Sequence, residues 1–335
     1  MQHRFSDICL VCLAVCATGH GGEAWRGASP AASAAVADIA IDLPVGRTTL
    51  RIHHPAEGAG PWPVIIFSHG LAGSREGYGF LGRRWAEHGY VSVHPDHPGS
   101  DTATFRGLPP RDLPAALRSA TTDPAVLEGR PRLVAALIDG LPAIEAAVPA
   151  LVGRLDRARV GVAGHSFGAW TTMCVAGMRL RGPGGAVADW SDPRPLAFAA
   201  LSPNGKGQWA QDDDWAAIAR PVLVMTGSAD RQPAFLSPPG QERSGAWRRQ
   251  AFDLMPAGSK LLAWFDGALH STYSGGAGAR LMGEAQPDPA QVEAVAVLTL
   301  AWWDARLRGD PAATAWLADP GSAAALGPWA TLIGH

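Results

Sequence analysis

The stretch that most constrains this chain is Arg159-Val160-Gly161-Val162-Ala163, followed at once by Gly164-His165-Ser166-Phe167-Gly168. A short β-type run, then Gly-x-Ser-x-Gly, then a helix-competent segment demands a strand that turns abruptly into a helix. A β-carbon two residues to either side of the serine would collide with neighbouring backbone, so both positions are glycine. The turn holds the Ser166 hydroxyl clear of the sheet at a helix N-terminus, where the dipole and the first amides favour developing negative charge. Ser166 is therefore a candidate nucleophile. The plain alternative is a glycine-rich β–α turn with no chemistry.

Around this point, apolar strand-like runs alternate with helix-like segments. Strands are predicted near residues 64–67, 90–93, 159–163, 196–201, 221–226 and 260–265, and helices over 77–88 and 289–307. Residues 132–152 carry a helical apolar pattern that Pro142 should break. Continuously apolar strands separated by helices imply an α/β fold, a mostly parallel sheet covered by helices on both faces. In such sheets sites lie beyond the carboxyl ends of the strands. With 335 residues, 47% of them hydrophobic, one large domain is expected over residues 46–310. Residues 311–335 are expected as a C-terminal extension packed on it, and residues 25–45 as a tether. Segments 95–130, 203–220 and 234–251 are long enough to cap a site.

The first 24 residues resemble an export signal: His3 and Arg4 precede an apolar run from Ile8 to about Ala17, then small residues. Such a run is too short to span a bilayer, so the mature chain is expected to be periplasmic or secreted, with no stable membrane span. Cys9, Cys12 and Cys16 fall in this leader, and Cys174 is expected to pack as a small hydrophobe. A net charge of -2 with no long basic run excludes recognition of nucleic acid by field alone.

A serine needs a base, and a histidine oriented by a carboxylate supplies one near neutral pH. Asp230 ends Met225-Thr226-Gly227-Ser228-Ala229-Asp230, and His270 follows Ala263-Trp264-Phe265-Asp266-Gly267-Ala268-Leu269. The order Ser166, Asp230, His270 is the one doubly wound hydrolases use. Asp212, Asp213 or Asp214 are alternative acids, and activity should rise with pH as the histidine base loses its proton. His69-Gly70-Leu71-Ala72-Gly73 follows the first strong strand; the amides of Leu71 and Phe167 are the expected oxyanion donors. His69, Gly70, His97 and His165 are the expected substrate-contacting residues. Trp190, Trp209, Trp215 and Trp247 are candidate walls of an apolar pocket, or ordinary packing residues.

His94-Pro95-Asp96-His97-Pro98-Gly99-Ser100-Asp101 offers metal-binding residue types. Its prolines restrict convergence and no second cluster completes a ligand set, so no metal is expected.

Together these segments, from about Val64 to His270, resemble the α/β-hydrolase superfamily, and within it bacterial proteins related to platelet-activating-factor acetylhydrolase and to predicted dienelactone hydrolases. The resemblance implies a sheet of about eight strands, carboxylic-ester hydrolysis without a cofactor, and Ser166, Asp230 and His270 as the triad. The substrate would be a small-molecule or lipid ester. Ser166 stands where dienelactone hydrolases proper carry cysteine. A serine peptidase or amidase, and a non-catalytic binding protein, are the alternatives on the same fold.

Overall fold

Strand Trp62–Ser68 shows why this chain builds a sheet covered on both sides. All of its residues are buried. Val64 and Ile66 enter one hydrophobic cluster, while Ile65 and Phe67 enter another. Period-two alternation in which both faces are apolar leaves no side for water.

The computed structural model describes residues 32–181, 187–207, 210–237, 243–258 and 260–334. The expected leader, the first part of the tether and Trp209 lie outside the described residues. In chain order the strands are β1 (Ala34–Leu43), β2 (Gly46–Pro55), β3 (Trp62–Ser68), β4 (Val91–Pro95), β5 (Leu155–His165), β6 (Leu180–Arg181), β7 (Val187–Ala188), β8 (Ala197–Leu201), β9 (Val222–Ala229), β10 (Lys260–Leu269) and β11 (Ala330–Gly334). The helices are α1 (Gly79–Glu87), α2 (Thr102–Phe105), α3 (Leu113–Ala120), α4 (Pro124–Asp139), α5 (Leu141–Ala147), α6 (Phe167–Ala176), α7 (Gly245–Asp253), α8 (Ala279–Met282), α9 (Pro289–Trp303), α10 (Pro311–Ala318) and α11 (Gly321–Leu326).

The main sheet has the order β1-β2-β4-β3-β5-β8-β9-β10-β11. Strands β4, β3, β5, β8, β9 and β10 run parallel, whereas β1, β2 and β11 join antiparallel. The sheet therefore has nine strands and mixed edges rather than about eight. The extra strands come from segments without a continuous apolar run. Ala34–Leu43, expected as tether, alternates half-buried and exposed positions and pairs with Gly46–Pro55 from Ala34↔Pro55 to Leu43↔Gly46. Its small residues and aspartates suit an edge, where one ladder is unpaired. The C-terminal extension returns through α10 and α11 to place β11 beside β10.

The two apolar clusters lie on opposite faces. One face is covered by α4, α5 and α6, with Leu133, Val134, Leu137 and Trp170 at the contact. The other is covered by α1 and α9, with Leu81, Trp85, Leu298 and Trp302. The apolar pattern of residues 132–152 belongs to α4 and α5, which part at Gly140, with Pro142 in the first turn of α5 rather than inside one long helix. After β3 the chain moves to β4 on one side, then crosses to β5 on the other. The crevice between the carboxyl ends of β3 and β5 is thus a topological switch point, where open α/β sheets bind ligands.

Candidate active site

Ser166 sits between β5 and α6 with φ 55° and ψ -114°. That backbone conformation is strained for a residue with a β-carbon. The flanking glycines are obligatory for contact reasons. A β-carbon on Gly168 would lie 1.8 Å from the Ser68 carbonyl oxygen, and one on Gly164 would lie 2.3 Å from that of Gly168. The elbow is therefore pressed against the end of β3, and the Ser166 amide donates to the Leu201 carbonyl at 2.9 Å.

Sheet register sets the acid and the histidine side by side. Ala229 at the end of β9 pairs with Leu269 at the end of β10, beyond an irregularity after Phe265. The next residue on each strand is Asp230 and His270, and His270 Nδ1 lies 2.8 Å from Asp230 Oδ1. Asp230 is wholly buried. Burial alone would push its carboxyl up; the Arg248 charge, then hydrogen bonds from His270 and Ser202, more than offset this and hold it down to about 2. Thr226 Oγ1 donates to Oδ2 at 2.9 Å. The alternative acids do not line the cavity of Ser166 and His270: Asp214 caps the turn at Gln211, Asp212 pairs with Lys206, and Asp213 lies on the same short turn.

A cavity of about 310 Å³ opens at the switch point. Ser166, His270, Gly70, Leu71, His165 and Phe167 all line it, while Asp230 lies behind His270. Its wider wall is mostly apolar, with Leu117 from α3, Phe235 and Leu236 from the turn after β9, and Leu281 and Met282 at α8. All three segments expected to cap the site thus reach the cavity, the middle one through Asn204, and the outer two are joined by a hydrogen bond from Arg118 to the Phe235 carbonyl. A further wall, residues 277–282, comes from beyond His270, where no cap is expected.

His165 links three loops. Its Nε2 lies 3.2 Å from the His270 carbonyl oxygen, which can only accept, so Nε2 carries the proton. Nδ1 is then the acceptor for the Tyr78 hydroxyl at 2.9 Å, and the Tyr78 oxygen receives the Gly70 amide at 3.1 Å. Burial, and next the neighbouring His270, drive the His165 pKa well below its ordinary value. His270 is braced from its other side by Glu284, whose carboxylate accepts the amides of His270 and Ser271.

Other expectations are corrected. His69 and His97 do not line the cavity; each is 1% exposed. His69 Nε2 accepts the His97 amide at 3.1 Å, and His97 Nε2 lies 3.0 Å from Ser68 Oγ. They pin the loop that carries Leu71 instead of meeting a ligand. Asp96 binds Arg75 and Thr49, Asp101 caps α2, and His94 stacks on Phe67, so the 94–101 loop spends its polar groups on different partners. Trp215 is core, Trp190 packs beside it, and Trp247 donates to the Lys206 carbonyl, so none of these three walls the cavity.

Several residues that shape the site carry no flag in the sequence. Arg130, inside α4, donates to the His69 carbonyl at 2.5 Å, Ser100 Oγ at 2.7 Å and Thr171 Oγ1 at 2.9 Å, and its guanidinium lies over the Phe167 ring. It clamps the loop after β3 to the helix after the elbow. Arg248, set on a helix by an unrelated periodicity, and Tyr78, in the left-handed turn just before α1, are equally silent. Ser202 is different: it directly follows a predicted strand, so the rule of carboxyl ends reaches it.

The family model described as platelet-activating factor acetylhydrolase, isoform II, matches residues 31–108. That span holds β1 to β4, the His69–Gly73 loop and the 94–101 loop, and stops short of Ser166, Asp230 and His270. No curated protein matches the chain. With the parallel sheet and the serine turn at its switch point, the match supports a platelet-activating factor acetylhydrolase-like α/β-hydrolase, a likeness carried in sequence by residues 31–108 alone.

Proposed function

We propose that this ester hydrolase cleaves carboxylic esters through an acyl-enzyme on Ser166, with His270 as base and Asp230 as the acid that orients it. One observation carries the reading: Ser166, on a strained turn, and His270, bonded to a wholly buried carboxylate, line the same cavity. With Nδ1 committed to Asp230, Nε2 is the ring nitrogen that takes the serine proton. Ser166 Oγ attacks the ester carbonyl carbon, and the amides of Leu71 and Phe167 receive the oxyanion. His270 returns the proton to the leaving alcohol, then activates the water that releases the acid. The apolar wall suits the acyl or alcohol chain of a small-molecule or lipid ester.

A fluorophosphonate probe should label the purified protein once, and Ser166→Ala should abolish both label and turnover. Absence of labelling with intact ligand binding would move the reading to a binding protein. Matched nitrophenyl esters and anilides separate esterase from amidase; faster anilide cleavage would overturn the ester assignment. Export also belongs to this reading, supported by the composition of residues 1–24; cell fractionation tests it.

A further inference from the structure

Two hydrogen-bond partners and a guanidinium, whose Nε also donates to the Asp230 carbonyl, converge on one carboxylate oxygen of Asp230. Oδ1 lies 2.8 Å from His270 Nδ1, 2.8 Å from Arg248 Nε and 3.0 Å from Ser202 Oγ. Arg248 is 1% exposed and Asp230 0%, so water does not screen this charge pair. The guanidinium also donates through Nη1 to the carbonyls of Ser202 and Pro203, at 3.1 and 3.2 Å, tying α7 to the loop after β8. Ser202 is held at φ 55°, a left-handed conformation, and its hydroxyl lies 2.8 Å from His270 Nδ1 as well. A serine confined to that backbone region and aimed at both partners is a built contact.

An aspartate alone beside a histidine gives its whole charge to the imidazolium that forms as the serine is deprotonated. Here a second, permanent cation holds the same oxygen. We infer that Arg248 and Ser202 are positioning residues of the His270 base: the guanidinium weakens the pull of Asp230 on the imidazolium, and the Ser202 hydroxyl fixes the ring's orientation, so that turnover extends into mildly acidic solution. The inference rests on the triad reading above. The other groups facing His270 are constant across the test. They are His165, with its ring centroid 4.5 Å away, Glu284 on the His270 and Ser271 amides, and Tyr273 on the same turn.

The test is kcat and KM for a nitrophenyl ester from acid to alkaline pH, in the wild type and in Arg248→Met, Arg248→Lys and Ser202→Gly. Removing the cation should move the acid limb of kcat/KM up by about one pH unit, roughly a tenfold loss on that limb. Arg248→Lys, which keeps the charge, should return most of the limb while kcat stays reduced by the lost fork contacts. Glycine suits the Ser202 backbone, so Ser202→Gly isolates the hydroxyl; kcat should fall about tenfold at unchanged KM. Coincident acid limbs in the wild type and Arg248→Met overturn the proposal. Should Arg248→Met fail to fold, Ser202→Gly decides, and a wild-type kcat there overturns it. Failure of the triad reading shows separately, as turnover surviving Ser166→Ala.

Discussion

Two groups of histidines gather near the carboxyl ends of the strands, and they are put to opposite uses. His165 and His270, with centroids 4.5 Å apart, face the cavity, and His270 is wired to a buried carboxylate. His69 and His97, 5.1 Å apart, and His53 and His94, 5.0 Å apart, are buried behind them. Both ring nitrogens of His53, and Nδ1 of His94 and His97, have no hydrogen-bond partner. The second group carries more histidines, and two of them come from the 94–101 loop, which is dense in chemistry-bearing residue types. A histidine becomes a base through a carboxylate on one nitrogen and an open cavity at the other. Local density of imidazoles confers neither.

The contrast is sharpest in turnover. His270→Ala should lower kcat on a nitrophenyl ester by about 10⁴-fold, because the serine loses its proton acceptor. His97→Asn, on the same substrate, should cost less than about tenfold while lowering the melting temperature. Equal losses in two folded variants would erase the distinction between the groups.

Acid should strike the second group through stability. Burial, the leading cause in both cases, lowers the His53 pKa to about 4 and the His69 pKa to about 3. In the unfolded chain each imidazole binds a proton near ~6.5. Below that pH the unfolded state therefore holds more protons, and stability falls as pH drops toward the folded values. The melting temperature should decline by about 5 °C or more between neutral pH and pH ~5. His53→Gln should flatten that decline; an unchanged slope would show that this imidazole takes no part in it.

Smaller effects test the cavity wall. Leu117→Ala should raise KM about tenfold for an ester with a long acyl chain and leave an acetyl ester nearly unchanged, as expected if the acyl chain runs along the apolar wall that Leu117 helps to build. Trp247→Phe should change either KM by less than about twofold, because its indole faces Lys206 and not the cavity. A larger effect at Trp247 would return the tryptophan to the substrate wall.

The fold was legible where both faces of a strand are apolar, as in residues 64–67 and 196–201, and at the elbow, where a steric demand dictates glycine at positions 164 and 168. It was not legible in Ala34–Leu43 or Ala330–Gly334, because an edge strand needs only one partner and one half-buried face. Alanine-rich alternation reads as a tether until β2 is placed beside it. The candidate site divides the same way. Residues that directly follow strands (Ser166, Asp230, His270), and Leu71 in the short loop after β3, stand out by position along the chain. Arg130 and Arg248 do not, since their roles come from which helix packs over which strand end, and nor does Tyr78, in the turn before α1.

From the order of its residues alone, this chain determined a parallel sheet and a serine forced into a sharp turn, because hydrophobic period and backbone sterics act over a few neighbours. Tertiary packing decided which imidazoles line the cavity and which do not. It also decided that a buried guanidinium would share the aspartate with His270. Charge and burial act through space: the strands that bring residues 202, 230 and 270 together are joined by register, and α7 packs residue 248 against them, none of it set by sequence distance.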